Sequence, residues 1–315
     1  MKTTKLLLTL LPMVSLLMTG CKDKTKTNSL SILVPTGGPA IAFYKYAEDS
    51  KFQTNNNPGV SIKNAVVAEE IDVAVLPTNL CFNLIQKQNV HYKLAATITF
   101  GNFYLVSTGH DNDQTLNVGD YIVLFQNNNL PDYLFHYVFG NSFNETIRYV
   151  GSSNDAERVL TSDSDLEVAN GLGEPIDYVL ISEPNLTRAL AANNNCSVYK
   201  NMTDEYKTKS GASDLFQASI IISNNVERSE ADKFLSNIEK DIRDARENPQ
   251  LIEDGMKKAD QPAMFYGIDP TLAKNLTANG NKLAIGFKLT RDNKQSIDTF
   301  LSLFNLGETN EEIYY

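Results

Sequence analysis

Residues 69–80 read Glu69-Glu70-Ile71-Asp72-Val73-Ala74-Val75-Leu76-Pro77-Thr78-Asn79-Leu80. A short apolar run without polar alternation is the mark of a strand buried on both faces. Asp72 opens this run. Pro77-Thr78-Asn79 ends it and leads into a helical stretch from Leu80 to Lys87, because Pro cannot extend a buried ladder and Thr and Asn favour helix starts. The unit returns as Ile176-Asp177, four residues, then Ser182-Glu183-Pro184, and a Glu precedes each copy, at Glu69 and Glu174. Two copies of a strand, polar turn and helix predict an α/β chain of two similar doubly wound lobes with largely parallel sheets.

The flanking sequence extends the pattern. Leu30 to Pro35 is a strand, Thr36-Gly37-Gly38-Pro39 a loop, and Ala40 to Ala47 a helical stretch. Leu94 to Thr99 and Phe103 to Ser107 are two more strands, with Phe100-Gly101-Asn102 between them. The order then restarts with a strand at 121–125, the turn Gln126-Asn127-Asn128-Asn129 and a helix at 131–139. A strand at 147–150 leads to Gly151-Ser152-Ser153-Asn154 and a helix at 155–160. After the strand at 176–181 and a helix at 185–192, Ala218 to Ser223 is strongly strand-like. A long amphipathic helix follows at 227–247, with Phe234, Leu235, Ile238 and Ile242 on one side. One strand and several helices do not make a third domain, so the tail is expected to return to the first lobe. The predicted division is 30–108 plus 218–315 for lobe 1 and 109–217 for lobe 2, joined by a hinge of two crossings.

The chain has 315 residues, 42% of them hydrophobic and 21% charged, an ordinary globular composition. Lys and Arg total 28 against 38 Asp and Glu, a formal charge of −10. That balance speaks against nucleic acid as a partner, since phosphate binding needs a surplus of cations. Three Cys and three His are too few and too scattered for a disulfide framework or a metal cluster, so no cofactor or metal is expected.

In an open α/β sheet, ligands bind beyond the carboxyl ends of the strands. The candidate loops all fall there: Thr36-Gly37-Gly38, Thr78-Asn79, Gln126-Asn127, Ser152-Ser153 and Glu183. Helix N-termini offer free N–H groups, and Gly37 and Gly38 admit a close backbone approach. Most of these groups are neutral hydrogen-bonders, suited to a small polar or anionic solute. Taken singly, each also reads as a cap on its own helix. For an anion, Arg158 or Arg188 is expected to reach inward; a neutral heterocycle stacked on Phe100 or Tyr104 is the equal alternative, although core packing is the commoner role of such rings.

The N-terminus reads as an address. Met1 to Lys5 is basic and Leu6 to Met18 almost wholly apolar, too short for the ~20 residues of a membrane span. Residues 1–20 are therefore expected to be a signal peptide and 21–29 a polar tether. Met18-Thr19-Gly20-Cys21 resembles the lipobox of bacterial lipoproteins. That resemblance implies acylation of Cys21, palmitate included, and an anchor on the extracytoplasmic face of the membrane. Each buried methylene adds about 0.8 kcal/mol to such an anchor.

With that lipobox, residues 34–45 (VPTGGPAIAFYK), 69–80 (EEIDVAVLPTNL), 98–107 (ITFGNFYLVS), 173–190 (GEPIDYVLISEPNLTRAL) and 216–223 (FQASIIIS) resemble the substrate-binding lipoproteins of ABC importers. The similarity is to the nitrate/sulfonate/bicarbonate and thiamine-precursor type. It implies a type II periplasmic-binding-protein fold, a solute cleft between the lobes, a monomer, and docking on an ABC permease with its ATPase. It also adds Thr99, Phe100, Gly101 and Asn102 to the cleft loops. The Asn-rich stretch between Tyr46 and Glu69 is short for the type and suggests a trimmed first lobe. Two other readings stand beside the solute receptor. One is an enzyme on the same fold, against which no Ser-His-Asp or Cys-His set sits on matching loops. The other is a surface adhesin or sensor.

Overall fold

The apolar runs form strands because alternate residues of each are buried on opposite faces of a sheet. In the computed structural model, which describes residues 30–109, 115–162 and 175–315, Ile32 and Val34 pack into one core and Leu33 into another. Val73 and Val75 alternate in the same way with Ala74 and Leu76. The predicted signal peptide and tether, with Cys21, lie outside the described residues, as do His110 and Glu174.

In chain order the first elements are β1 (Ile32–Pro35), α1 (Gly38–Ile41), β2 (Phe52–Asn55), α2 (Lys63–Val67), β3 (Val73–Pro77), α3 (Thr78–Phe82) and β4 (Tyr92–Thr99). Next come β5 (Phe103–Ser107), β6 (Ile122–Phe125), α4 (Leu130–Phe139), β7 (Ile147–Val150), α5 (Ser153–Thr161), β8 (Tyr178–Ser182), α6 (Asn185–Ala192), β9 (Ser197–Asn201) and α7 (Met202–Ser210). The last group is β10 (Ala218–Ser223), α8 (Arg228–Glu247), α9 (Gln250–Met256), α10 (Pro262–Tyr266), α11 (Pro270–Ala278), β11 (Ile285–Leu289) and α12 (Lys294–Ser302).

The described strands form a six-stranded sheet of order β11-β4-β10-β3-β1-β2 and a five-stranded sheet of order β7-β6-β8-β5-β9. β1 pairs in parallel with β2 and β3, and β6 with β7 and β8. β10 lies antiparallel between β3 and β4, and β5 antiparallel between β8 and β9. Both sheets thus share one plan, second-first-third-antiparallel-fourth. In each, the antiparallel strand is the one the chain makes on arriving from the other sheet.

This plan moves the expected boundary. β5 was assigned by sequence to lobe 1, within 30–108, yet it pairs with β8 and β9 in the second sheet. The first crossing is therefore at 100–102, not at 108–109, and the second runs through 211–217. The stretch after Tyr46 carries β2 and α2. Residues 40–47 make only the short α1 and a 3-10 turn at Tyr44–Tyr46, rather than one helix.

The sequence echo has a structural counterpart. Asp72 accepts from the N–H and hydroxyl of Ser31, both at 2.8 Å, just before β1. Asp177 accepts from the N–H of Tyr121 at 2.8 Å, just before β6. In each sheet the Asp that opens the third strand fastens the start of the first.

Candidate functional site

Every predicted loop leaves the carboxyl end of a strand: Thr36 to Gly38 after β1, Thr78 and Asn79 after β3, and Phe100 to Asn102 after β4. Gln126 and Asn127 follow β6, Ser152 and Ser153 follow β7, and Glu183 follows β8. The antiparallel strands β5 and β10 begin at this same edge, so both crossings run along it.

Gln217, at the end of the second crossing, ties several of these loops together. Its carbonyl accepts from the N–H of Thr78 (3.0 Å), its own N–H donates to the Thr99 carbonyl (3.0 Å), and its Oε1 accepts from the N–H of Gly101 (3.1 Å). Gly38 sits against Thr99, whose Cγ2 would be 3.5 Å from an added Cβ. Asn102 joins the far lobe, with Nδ2 donating to the Glu183 carbonyl and its own carbonyl accepting from the Glu183 N–H, both at 3.1 Å. The segments 36–38, 78–79, 99–102 and 183 thereby form one connected band. Gln217 was missed by sequence, since a single amide in a linker carries no pattern.

The side chains in this band divide by what already holds them. The Thr78 hydroxyl lies 2.8 Å from Ser219 Oγ, which lies 2.7 Å from Thr97 Oγ1, a buried chain from the start of α3 across β10 to β4. Ser152 Oγ accepts from the Asp155 N–H and caps α5. Ser153 Oγ accepts from the Ser182 N–H at 3.1 Å. Glu183 is buried, and its two carboxylate oxygens accept from the N–H (3.1 Å) and hydroxyl (2.9 Å) of Thr187. Its charge is spent on α6. The arginines are likewise taken: Arg158 pairs with Asp155 at 2.5 Å and Arg188 with Glu157 at 2.7 Å. The expectation that one of them reaches inward gives way to these ion pairs. Gln126 and Asn127 lie on an exposed turn.

A cation beside the first crossing is Lys288 of β11, another residue that the sequence did not single out. Its ammonium pairs with Asp214 and lies 5.8 Å from the centre of the Phe100 ring. Phe100 meets Phe216 edge-on at 5.6 Å. Packing therefore already covers much of the ring proposed for stacking. Tyr104 is half-buried, and burial, then the charges of Glu183 and Asp204, raise its phenol pKa. Cys81 is wholly buried, which pushes its thiol pKa far up and leaves no thiolate for chemistry.

Several buried polar atoms lack a hydrogen-bond partner among the described residues, those of Tyr206, Tyr266 and Asn281 included, and three of them belong to the predicted loops or to their immediate neighbours. Asn79 Oδ1, Thr99 Oγ1 and Thr203 Oγ1 are buried without a hydrogen bond among the described residues. Asn79 is in the first turn of α3, Thr99 ends β4, and Thr203 lies against Gly101 at the start of α7. A buried polar atom left unpaired costs about 1–3 kcal/mol. Such atoms gathered along a ligand edge are a hydrogen-bonding surface in need of a partner. No group of three His, Cys, Asp or Glu among the described residues is placed to hold a metal ion, and no described helix is long and apolar enough to cross a membrane.

No protein-family profile and no curated protein matches the chain. Solved structures do. An ABC transporter protein from Parabacteroides distasonis superposes with a TM-score of 0.68 at 16% identity, covering 88% of this chain and 92% of that one. The periplasmic aliphatic sulphonate-binding protein SsuA of Escherichia coli gives 0.60 at 13% identity, over 88% and 86% of the two chains. The ligand-binding component of an ABC-type import system from Staphylococcus aureus, solved with zinc bound, gives 0.61 at 11% identity, over 90% and 95%. At these identities the likeness is one of fold, and the chain has the fold of the periplasmic binding proteins.

Proposed function

We propose that this protein is an extracytoplasmic solute-binding lipoprotein of an ABC importer. It takes a small polar solute between its two lobes and presents the loaded form to a permease and its ATPase. The reading rests above all on the buried, unpaired atoms of Asn79, Thr99 and Thr203 along the edge where both crossings run. The solute would lie against Thr36, Gly37 and Gly38 on one side and Gly101, Asn102 and Thr203 on the other, with Asn79 and Thr99 as principal hydrogen-bonders. Closure of the lobes would supply the desolvation that makes those bonds strong. In this reading the protein is not an enzyme and is held at the outer membrane surface by acyl chains on Cys21.

The test is native mass spectrometry of the full chain, followed by a melting screen of vitamins, sulfonates and amino-acid analogues. One class is expected to raise the Tm without turnover, and Asn79→Ala to weaken that hit by about tenfold. A hit of unchanged affinity in both Asn79→Ala and Thr99→Val overturns the site. Product formation points to an enzyme, and no shift with any solute points to an adhesin or sensor. Incorporation of labelled palmitate in the wild type but not in Cys21→Ser tests the anchor.

A further inference from the structure

A cavity of 340 Å³ shares no lining residue with the band joined by Gln217. It is an open surface cavity lined by the turn after β6, helix α4, the loop 140–145 and Tyr149 of the edge strand β7. The volume is within the ordinary range of small-molecule sites. We propose that it is a binding site for a neutral saccharide.

Its walls are built around one buried carboxylate. Asp132 is 6% exposed. Its Oδ1 accepts from the Tyr149 hydroxyl at 2.8 Å and faces His136 Nε2 at 3.2 Å. Its Oδ2 accepts from the N–H of Asn128 at 2.8 Å. A carboxylate has about four acceptor positions, so these three neighbours leave room for one further donor. The three contacts also spread its charge and fix the surrounding groups, so the site is preformed. Asn128 holds the left-handed backbone that the turn needs, at φ 58°, a conformation Asn tolerates. The loop 140–145 is pinned by buried Phe143, which meets Phe135 at 5.9 Å.

The remaining lining suits a sugar. Asn127, Asn128, Asn141 and Asn144 are exposed there, and each amide carries both a donor and an acceptor. Sugar hydroxyls also donate and accept, so amides and hydroxyls match without a net charge. Tyr149 is 39% exposed and Tyr133 half-buried at the same cavity, offering ring surface for the apolar C–H face of a pyranose. An anion would face the Asp132 carboxylate, and the lining carries no Lys or Arg to offset it.

The site would be tested on the full chain by saturation-transfer NMR with D-glucose, N-acetyl-D-glucosamine and the β-1,4-linked trimer of each. Transfer to the ring C–H protons is expected, with a dissociation constant on the order of 1 mM for the better sugar. Asn141→Ala combined with Asn144→Ala should weaken it about tenfold, and Tyr149→Ala should remove transfer to the ring face. Asn79→Ala, in the other site, should leave it unchanged. Much tighter binding of a trimer assigns the site to a glycan chain, and equal binding assigns it to free sugar. No transfer from any of the four sugars, or equal transfer in both cavity variants, overturns the proposal.

Discussion

Glu253 is the residue whose surroundings most clearly shift a charge. It is buried and accepts from Lys257 (2.6 Å), Lys274 and Thr271 (3.0 Å), joining α9 to α11. The two lysine hydrogen bonds hold its carboxyl well below the usual range, lowering its pKa from 4.5 to about 2. A depressed folded-state pKa stabilises fully above the unfolded value and loses that contribution as pH falls through the folded one. Glu253→Gln is therefore expected to lower the urea midpoint at pH 7. The gap to wild type should close between pH 4.5 and about 2, as followed by urea unfolding at stepped pH. Thr99→Val should act in the opposite sense. It removes an unpaired buried hydroxyl, so the solute-free protein should gain up to about 1 kcal/mol in chemical unfolding while solute affinity falls. The polar turns at 36–38, 78–79, 152–153 and 183 were legible because Gly, Thr, Asn, Ser and Glu interrupt apolar runs. Which of their side chains are already spent was not, because Ser219, Ser182 and Thr187 lie on partners that only pairing or helix geometry brings near.

At the scale of the element, the two aspartates make the strongest prediction. Asp72→Ala removes two hydrogen bonds to Ser31 and Asp177→Ala one to Tyr121. Each should cost about 1–3 kcal/mol, with Asp72 the larger. Amide exchange should quicken at Ser31 in the first variant and at Tyr121 in the second, and a uniform loss of protection across both sheets would contradict the pairing. The central strands and α8 were readable because burial writes itself into sequence. β3, β8 and β10 are continuous apolar runs, and Ala231, Phe234, Leu235, Ile238, Ile242 and Ala245 recur at the helical period on the buried face of α8. The strands without a sequence signal, β2, β9 and β11, all lie at sheet edges. An edge strand has one neighbour and an exposed flank, so residues such as Phe52-Gln53-Thr54-Asn55 carry no apolar run.

For the whole molecule, the two crossings carry the chain from one sheet to the other and back. Gly101 holds φ +84° in the first, and an added Cβ would lie 2.5 Å from Leu215 Cδ2 and 2.6 Å from Thr203 Oγ1. Gly101→Ala is expected to destabilise by more than about 1 kcal/mol and to abolish solute binding, read by urea unfolding and by the melting screen. If the lobes close on a solute, X-ray scattering of the full chain should show a smaller radius of gyration with the solute present. Sequence alone was enough for the α/β class, for the doubling of the βα unit and for loops at the strand ends. These follow from local periodicity, from turn chemistry and from the need to bury apolar faces. It took the assembled fold to show that β5 crosses to the second sheet after three residues, that Gln217 ties the loops together, and that Glu183, Arg158 and Arg188 are engaged by neighbours around the second sheet. A strand's sequence records how deeply it is buried, but its choice of neighbour is settled by which partner edge is open when the chain arrives, and that information is spread over the whole fold.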